Sequence, residues 1–236
     1  MGGFVAVLLA LDVGARPDAS TGMPKRGNAR FYEAHASHLR RAEQGPANLI
    51  FIGDSITERW NEVPDIWNEF FGIYNPANFG IGGDQTRHVI WRIEDGILDK
   101  VRPTVVVILI GTNNTGRDSP EEIAAANRKV IGLVRGKVPG VKILLMGIFP
   151  RGPRTDAEGK QIDDGVTRMK VIRAVNPLLA RLADGELVRF VDIGDRFIDS
   201  EGRISPTLMP DQVHLSAEGY RLWALSLKPL LAEWIR

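Results

Sequence analysis

Three residues of this chain have the side chains that acyl transfer requires: Ser55, Asp211 and His214. A serine hydroxyl is a weak nucleophile until a base removes its proton, and an imidazole such as that of His214 titrates near neutral pH. The Asp-x-x-His spacing lets Asp211 accept the Nδ1 proton of His214 across one turn, which fixes the tautomer and the ring orientation. These residues therefore predict a serine nucleophile, its base, and an acid that orients the base.

Acyl transfer also needs hydrogen-bond donors around the oxyanion of its tetrahedral intermediate, and loss of one donor typically lowers kcat by ~10²–10³. The backbone N–H groups of Ser55 and Gly83 and the side-chain amide of Asn113 are available for this role. A glycine-rich turn such as 80–83 lets backbone N–H groups approach a ligand closely. We therefore expect an oxyanion hole built from Ser55, Gly83 and Asn113.

Each of these signals is weak alone, because a serine after a strand is most often a helix N-cap and Asp-x-x-His is a common spacing. The elements that position them strengthen the prediction. Ser55 follows the apolar run 49–52, and Asn113 follows 104–110, which is β-branched without polar alternation, as in a parallel strand covered on both faces. We predict strands at 48–52, 72–75, 104–110, 141–147 and 187–193, and helices at 30–44, 57–71 (broken by Pro64), 87–96, 120–137, 165–182 and 217–235.

Strands that alternate with helices indicate a parallel sheet between two helix layers, here a three-layer α/β/α sandwich with a five-stranded sheet. The carboxyl ends of parallel strands lie at one edge of the sheet, where such folds bind their ligands. Ser55, Gly83 and Asn113 each follow one of the first three strands. Asp211 and His214 follow the fifth strand and precede the last helix, so all five can meet at that edge.

Composition excludes several other classes of protein. The 236 residues carry a net charge of +1, so we expect no nucleic-acid partner. There is no cysteine, which excludes disulfides, thiolate nucleophiles and Cys-based zinc sites. The four histidines form no cluster with carboxylates at motif spacing, so we expect no metal and no cofactor, which argues against a metal-dependent phosphoesterase.

The N-terminus leaves two interpretations open. The apolar run 4–11 is too short to span a bilayer, so we expect no stable membrane insertion. It resembles the apolar part of an export signal but lacks the basic residues that precede one, and an extra packed strand or helix is the alternative. We slightly favour export, hence a secreted or periplasmic location over a cytoplasmic one. Residues 12–28 have a linker composition, so we divide the chain into an extension, 1–28, and one domain, 29–236.

Four sequence blocks occur in an order found in a known family. The chain resembles the SGNH hydrolases, also called the GDSL esterase/lipase family, over about residues 48–234. Segments 78–84 and 150–152 are most similar to the branch that contains the catalytic subunits of intracellular platelet-activating-factor acetylhydrolase. The four blocks are Gly53-Asp54-Ser55, Gly82-Gly83-Asp84, Gly111-Thr112-Asn113-Asn114 and Asp211-Gln212-Val213-His214.

The resemblance implies a flavodoxin-like fold, a Ser55–His214–Asp211 triad and an oxyanion hole from Ser55, Gly83 and Asn113. We expect a metal-independent serine esterase that acts on a small-molecule ester with a short, acetyl-type acyl group, on carbohydrate or small alkyl or aryl esters. A lysophospholipid or other lipid ester is the alternative substrate. A non-catalytic subunit that binds a partner is the alternative in another class, and a second copy of the chain is a candidate partner.

Three other features have simpler interpretations. Asp54 follows a strand and is expected to brace the turn rather than to react. His88 lies one turn into a helix, where a structural histidine is the more common finding. The polar segment 151–164 is expected to be a long loop without regular structure. Its Arg151, Arg154 and Lys160 could contact a polar substrate, or the loop could simply be solvated.

Overall fold

A five-stranded parallel sheet lies at the centre of the computed structural model, which describes residues 18–156 and 158–235. The apolar run 4–11 lies outside the described residues. The strands, including two of a separate hairpin, are β1 (Leu49–Gly53), β2 (Pro76–Gly80), β3 (Val105–Leu109), β4 (Lys142–Met146), β5 (Arg154–Thr155), β6 (Gln161–Asp163) and β7 (Val188–Val191). The helices are α1 (Ala29–Glu43), α2 (Ser55–Glu58), α3 (Pro64–Phe71), α4 (Thr86–Glu94), α5 (Pro120–Lys137), α6 (Gly165–Ala180) and α7 (Ala217–Trp234).

The sheet order is β2-β1-β3-β4-β7, the doubly wound order of flavodoxin-like folds. Every residue of β1 and β3 is buried, as expected for strands covered on both faces. Successive side chains of β1 belong to two different cores: Ile50 and Ile52 pack with α4, α5 and α6, and Leu49 and Phe51 pack with α3 and α7. The structure thus confirms the predicted α/β/α architecture.

The bounds of α5 agree with the prediction at both ends. Its start is determined by capping residues that can be recognised in the sequence. Ser119 accepts a hydrogen bond from the N–H of Glu122 (3.2 Å), and the Glu122 carboxylate accepts one from the N–H of Ser119 (2.7 Å). Pro120 occupies the first turn, where its missing N–H costs no helical hydrogen bond. Such a capping box defines a helix start without any tertiary information.

The strand predicted at 72–75 is wrong. Residues Gly72–Tyr74 form a short 3₁₀ turn, and Asn75 has a φ of +48°, in the left-handed region that asparagine tolerates. The strand is β2, which begins at Pro76. Because β2 is at an edge of the sheet and Pro76 is its first residue, the missing N–H removes no ladder bond.

The segment 151–164 is not the unstructured loop that the sequence predicts. Its residues form an antiparallel hairpin in which Arg154 of β5 pairs with Asp163 of β6. Strands of two and three residues are too short to show an alternating pattern in the sequence.

The described part of the predicted linker packs against the domain. Ala19 is fully buried, and its carbonyl accepts a hydrogen bond from Thr86 Oγ1 (3.0 Å). The N–H of Met23 donates to the carbonyl of Arg87 (3.1 Å). The division of the chain at residue 28 stays a prediction. Within the described ranges, no helix has the length and apolar character needed to cross a bilayer.

Candidate active site

Ser55 lies where β1 ends and α2 begins. Gly53 closes the strand at a point where a Cβ atom would lie 2.1 Å from Thr57 Oγ1 and 2.4 Å from the carbonyl oxygen of Leu109. Asp54 then caps α2, because its Oδ1 accepts the N–H of Ile56 (2.9 Å). This tight turn presents the Ser55 hydroxyl at the carboxyl edge of the sheet.

The structure brings Ser55, His214 and Asp211 into one hydrogen-bonded chain. Ser55 Oγ lies 2.9 Å from His214 Nε2, and His214 Nδ1 lies 2.6 Å from Asp211 Oδ2. The second oxygen of Asp211, Oδ1, accepts the backbone N–H groups of Val213 (3.0 Å) and His214 (2.6 Å). The acid is therefore aligned on the imidazole by its own turn.

The electrostatics of this chain favour an ionised acid. Partial burial acts to raise the pKa of Asp211, but the hydrogen bonds from the side chain and backbone of His214 outweigh it. They hold the pKa of this carboxyl well below its usual range. An ionised Asp211 accepts a hydrogen bond from Nδ1–H of His214, so Nε2 of the neutral imidazole can accept the proton of the Ser55 hydroxyl.

Two neutral donors lie beside the serine. Gly83 is the third residue of a turn closed by a hydrogen bond from the N–H of Asp84 to the carbonyl of Ile81 (3.1 Å), and its φ of +71° suits glycine. Asn113 lies in the 3₁₀ turn Thr112–Asn114 after β3, and its Nδ2 donates to the carbonyl of Asp84 (3.0 Å). A side-chain amide has two N–H donors, so a second one remains for a ligand.

Ser55, His214, Gly83 and Asn113 line one cavity of about 600 Å³. Its other walls are mostly charged or polar, and four arginines contribute to them. The remaining lining residues are Arg30, Glu58, Arg59, Asn61, Glu62, Gly82, Arg151, Arg154 and Val213. This arrangement can activate a hydroxyl, stabilise an oxyanion and bind a polar molecule.

Residues 51–222 match the family model of the GDSL-like Lipase/Acylhydrolase family. The chain belongs to that family. It is similar to platelet-activating factor acetylhydrolase IB subunit alpha1 of Bos taurus, with 33% identity over 207 residues that cover 87% of this chain and 84% of that one. The resemblance expected from the four sequence blocks is thus confirmed.

Two solved structures share the fold of this chain. A GDSL-like lipase from Bacteroides thetaiotaomicron matches with a TM-score of 0.65 and 20% identity, over 86% of this chain and 96% of that one. A carbohydrate acetylesterase from Sinorhizobium meliloti matches with a TM-score of 0.60 and 21% identity, over 78% of this chain and 98% of that one. Both matches support the α/β fold, and membership of an acylhydrolase family supports ester hydrolysis as the general activity.

The arginines near the cavity differ in how many protein groups they already bind. Arg151 is buried: its Nε donates to Asp163 Oδ2 (2.8 Å) and its Nη1 to Thr112 Oγ1 (3.2 Å). Arg168 Nε donates to the other oxygen of Asp163. Arg154 remains one-third exposed, and the nearest acid oxygen is Asp211 Oδ2 at 3.8 Å. Of the three cations expected to contact a polar substrate, Arg151 and Arg154 line this cavity and Lys160 does not.

Two buried carboxylates flank the site of this hydrolase. Burial raises the pKa of Asp54 to about 7, and among the described residues its Oδ2 has no hydrogen-bond partner. Burial also acts to raise the pKa of Asp84, although Arg92 and Lys25 each place a cationic nitrogen 2.8 Å from its oxygens. Lys25 could not be found from the sequence, because no motif near it marks it as part of a site.

The histidines outside the hydrogen-bonded chain have structural environments. His88 Nδ1 accepts the N–H of Gln85 (2.9 Å) at the start of α4, and burial lowers its pKa to about 3. His35 is buried and His38 is half-buried, both near Arg92, and desolvation lowers the pKa of His38 to about 3. Within residues 18–156 and 158–235, no group of three His, Cys, Asp or Glu side chains is arranged to hold a metal ion.

Proposed function

We propose that this protein is a serine esterase that hydrolyses carboxylic esters with short acyl groups through an acyl-enzyme on Ser55. One observation carries the proposal. The Ser55–His214–Asp211 chain, with both hydrogen bonds at or below 2.9 Å, opens into the cavity that Gly83 and Asn113 also line. A nucleophile, a base and neutral donors around one cavity are the parts of acyl transfer.

In the first half of the reaction, His214 Nε2 takes the hydroxyl proton as Ser55 Oγ attacks the ester carbonyl carbon. The N–H groups of Ser55 and Gly83 and the amide of Asn113 stabilise the negative oxygen of the tetrahedral intermediate. The intermediate then expels the alcohol, which takes its proton from His214. In the second half, His214 removes a proton from water as the water oxygen attacks the acyl carbon. The intermediate then releases the carboxylic acid, and Ser55 Oγ takes its proton back from His214.

The walls of the cavity support a polar substrate with a small acyl group. Among its lining residues in the described chain, Val213 is the one with a branched aliphatic side chain. Burial of each CH₂ group contributes about 0.8 kcal/mol, which a fatty chain would not gain here. The name of the bovine relative, an acetylhydrolase, also specifies an acetyl group. Carbohydrate esters and small alkyl or aryl esters fit these walls.

A second observation favours the lipid-ester alternative for the alcohol part. A neighbouring cavity of about 360 Å³ shares Arg151 with the first. Several apolar side chains line it, including those of Val166, Met169, Ile198 and Ile204. An alcohol with a hydrocarbon chain could extend past Arg151 into this space while its short acyl group stays beside Ser55.

Activity against esters of graded acyl length tests the proposal. We expect turnover of p-nitrophenyl acetate and a kcat/KM that falls from the acetate to the octanoate ester. Ser55→Ala should lose this activity. Ser37→Ala, which changes an exposed serine on α1, should keep it. Activity that rises with acyl length would contradict the short-acyl specificity. Acetylated sugars and acetylated lysophospholipids in the same panel separate the two substrate classes. Activity lost in EDTA would contradict a metal-independent mechanism.

A non-catalytic subunit remains the alternative in a different class, since the bovine relative is named as a subunit. The complete Ser55–His214–Asp211 chain argues against it. A fluorophosphonate probe should label the wild type and not Ser55→Ala. Folded wild-type protein that takes no label would favour the partner-binding role. A second copy of the chain as partner stays a prediction.

A further inference from the structure

Lys25 contacts the glycine turn, residues 81–84, although it lies outside the residues, 51–222, that match the family. Its ammonium group is 2.6 Å from the carbonyl oxygen of Gly82 and 2.8 Å from Asp84 Oδ1. The side chain is only 14% exposed, and its Nζ lies 5.3 Å from the centroid of the Phe31 ring. A largely buried cation is thus fixed on the turn that presents Gly83.

The oxygen that Lys25 holds and the N–H of Gly83 belong to the same peptide unit. A trans peptide is planar, and its C=O and N–H point in opposite directions. A donor that fixes the Gly82 carbonyl therefore fixes the direction of the Gly83 N–H. Within residues 18–156 and 158–235, no other donor is bonded to that oxygen, and no protein acceptor is bonded to that N–H.

The turn itself makes this control necessary. A hydrogen bond from Asp84 to Ile81 and a positive φ at the third residue, Gly83, are the pattern of a type II turn. Types I and II differ by a half-rotation of the central peptide, here Gly82–Gly83. With glycine at both central positions, sterics oppose that rotation weakly. A rotated peptide would turn the Gly83 N–H away from its present direction.

A cation on the carbonyl oxygen also changes the donor. It draws electron density through the amide and polarises the N–H, as neighbouring hydrogen bonds do in a chain. An N–H polarised in this way is a stronger donor to a developing negative charge. Lys25 can therefore act on both the direction and the strength of the Gly83 donor.

The segment that carries Lys25 is anchored to the domain by residues that come just before the lysine. Lys129 Nζ donates to the carbonyl of Ser20 (3.0 Å), and the N–H of Met23 donates to the carbonyl of Arg87 (3.1 Å). Between them, Gly22 packs so closely on α4 that a Cβ atom would lie 2.3 Å from the Glu94 carboxylate. This anchoring places the ammonium group without help from the ligand.

We propose that Lys25 is a positioning residue for the ester hydrolysis proposed above: it orients and polarises the Gly82–Gly83 peptide so that the Gly83 N–H meets the oxyanion. The inference rests on that proposed function. Complete loss of an oxyanion donor costs ~10²–10³ in kcat, and a misplaced one costs less. Loss of Lys25 should therefore lower kcat by about 10- to 100-fold.

The test compares Lys25→Met with Lys129→Met in the full chain. Both changes remove an ammonium group that ties down the same segment, but Lys129 does not contact the glycine turn. We expect Lys25→Met to lower kcat for p-nitrophenyl acetate by about 10- to 100-fold with KM within about twofold. Its rate of fluorophosphonate labelling should fall in the same proportion, since that reaction also builds a negative oxygen. Lys129→Met should match the wild type, and Lys25→Arg should recover most of kcat.

The outcomes distinguish the two proposals. A wild type that neither turns over esters nor takes the label would overturn the proposed function and this inference with it. An active wild type with equal kcat per folded molecule in Lys25→Met and Lys129→Met would overturn the inference alone. Should Lys25→Met not fold, Lys25→Gln keeps a neutral donor and is expected to lower kcat in the same direction; wild-type kcat there would also contradict the inference.

Discussion

Two loops line the cavity beside Ser55, and they are held in different ways. The glycine turn, residues 81–84, is fixed by three separate segments: Glu58 accepts the N–H of Gly82 (2.9 Å), Lys25 donates to its carbonyl, and Asn113 donates to the carbonyl of Asp84. The β5–β6 hairpin is fixed at its base by the buried Asp163 with two arginines. Its outer residues are exposed, with Ile162 at 56%.

The difference suggests a division of labour. The turn contributes neutral N–H groups at a fixed place, which is what oxyanion stabilisation requires. The hairpin contributes Arg154, a partly exposed cation that lines the same cavity and lies near Asp211. We therefore expect changes near the turn to act on kcat, and changes on the hairpin to act on stability or on KM.

The largest effect is expected on the turn side, in Asn113→Ala. This change removes a side-chain donor from the cavity and also the hydrogen bond to the carbonyl of Asp84. We expect kcat for p-nitrophenyl acetate to fall by ~10²–10³ with little change in KM. Asn68→Ala, an exposed asparagine on α3, is the matched control. If kcat fell by less than tenfold, the expectation that the residues near the turn determine kcat would be contradicted.

The next effect is expected at the base of the hairpin, in Asp163→Asn. The change leaves the buried Arg151 guanidinium without a carboxylate, and removal of one partner of a buried ion pair typically costs about 3 kcal/mol. We expect that loss in the free energy of unfolding, measured in urea. Asp156→Asn in the same hairpin keeps its acceptor oxygen for the N–H of Lys160 and should change stability by less than about 0.5 kcal/mol. Equal losses in both variants would show that the pair does not hold the hairpin.

A smaller effect, dependent on pH, is expected at Asp54. Its carboxyl interacts electrostatically with Asp84 of the turn and with Arg151, which is paired with the hairpin. Burial raises its pKa to about 7, from about 3.9 in an unfolded chain. Between these values the native state holds a proton that the unfolded state has released, so stability falls as pH rises from about 4 to 7.

Asp54→Asn removes this titration and keeps an acceptor for the N–H of Ile56. When the pH rises from 5.5 to 8, the wild type should lose on the order of 2 kcal/mol of unfolding free energy that the variant does not lose. Urea unfolding of both proteins at several pH values measures the difference. Parallel stability curves would show that the carboxyl is ionised throughout this range.

The smallest effect is expected at the exposed end of the hairpin, in Arg154→Gln. We expect KM to rise about two- to fivefold for an ester with a carboxylate in its alcohol part, and by less for p-nitrophenyl acetate. The difference should shrink in high salt because the side chain is partly exposed. Lys160→Gln, a hairpin cation that does not line the cavity, is the control. A fall in kcat larger than the rise in KM would show that Arg154 acts on the reaction step rather than on substrate binding.

Much of this architecture could be predicted because it depends on local patterns. The unbroken apolar runs of β1 and β3 indicate buried parallel strands, and the carboxyl ends of such strands must share an edge. That rule alone places Ser55 near Asn113. The spacing of Asp211 and His214 similarly predicts a contact that closes within one turn, as the structure shows.

Other features could not be predicted because they depend on contacts between distant residues. Lys25 and Gly82 are 57 positions apart, and nothing in a basic, glycine-containing segment distinguishes a largely buried ammonium group from a solvated one. The Arg151–Asp163 pair requires a hairpin whose strands are too short to leave a pattern. The strand predicted at 72–75 was displaced because Pro76, normally a strand breaker, begins an edge strand.

Asp211 and His214 form a self-contained unit, whereas Ser55 meets His214 across 159 positions of the chain. The buried hydroxyl of Tyr220, in the helix that follows, donates to the carbonyl of Ile56 next to the nucleophile (2.7 Å). Any local opening that lifts the C-terminal segment would leave the acid and base paired but separate them from the serine. Ester turnover therefore reports whether the C-terminal segment is docked, and it should fall before the central sheet unfolds.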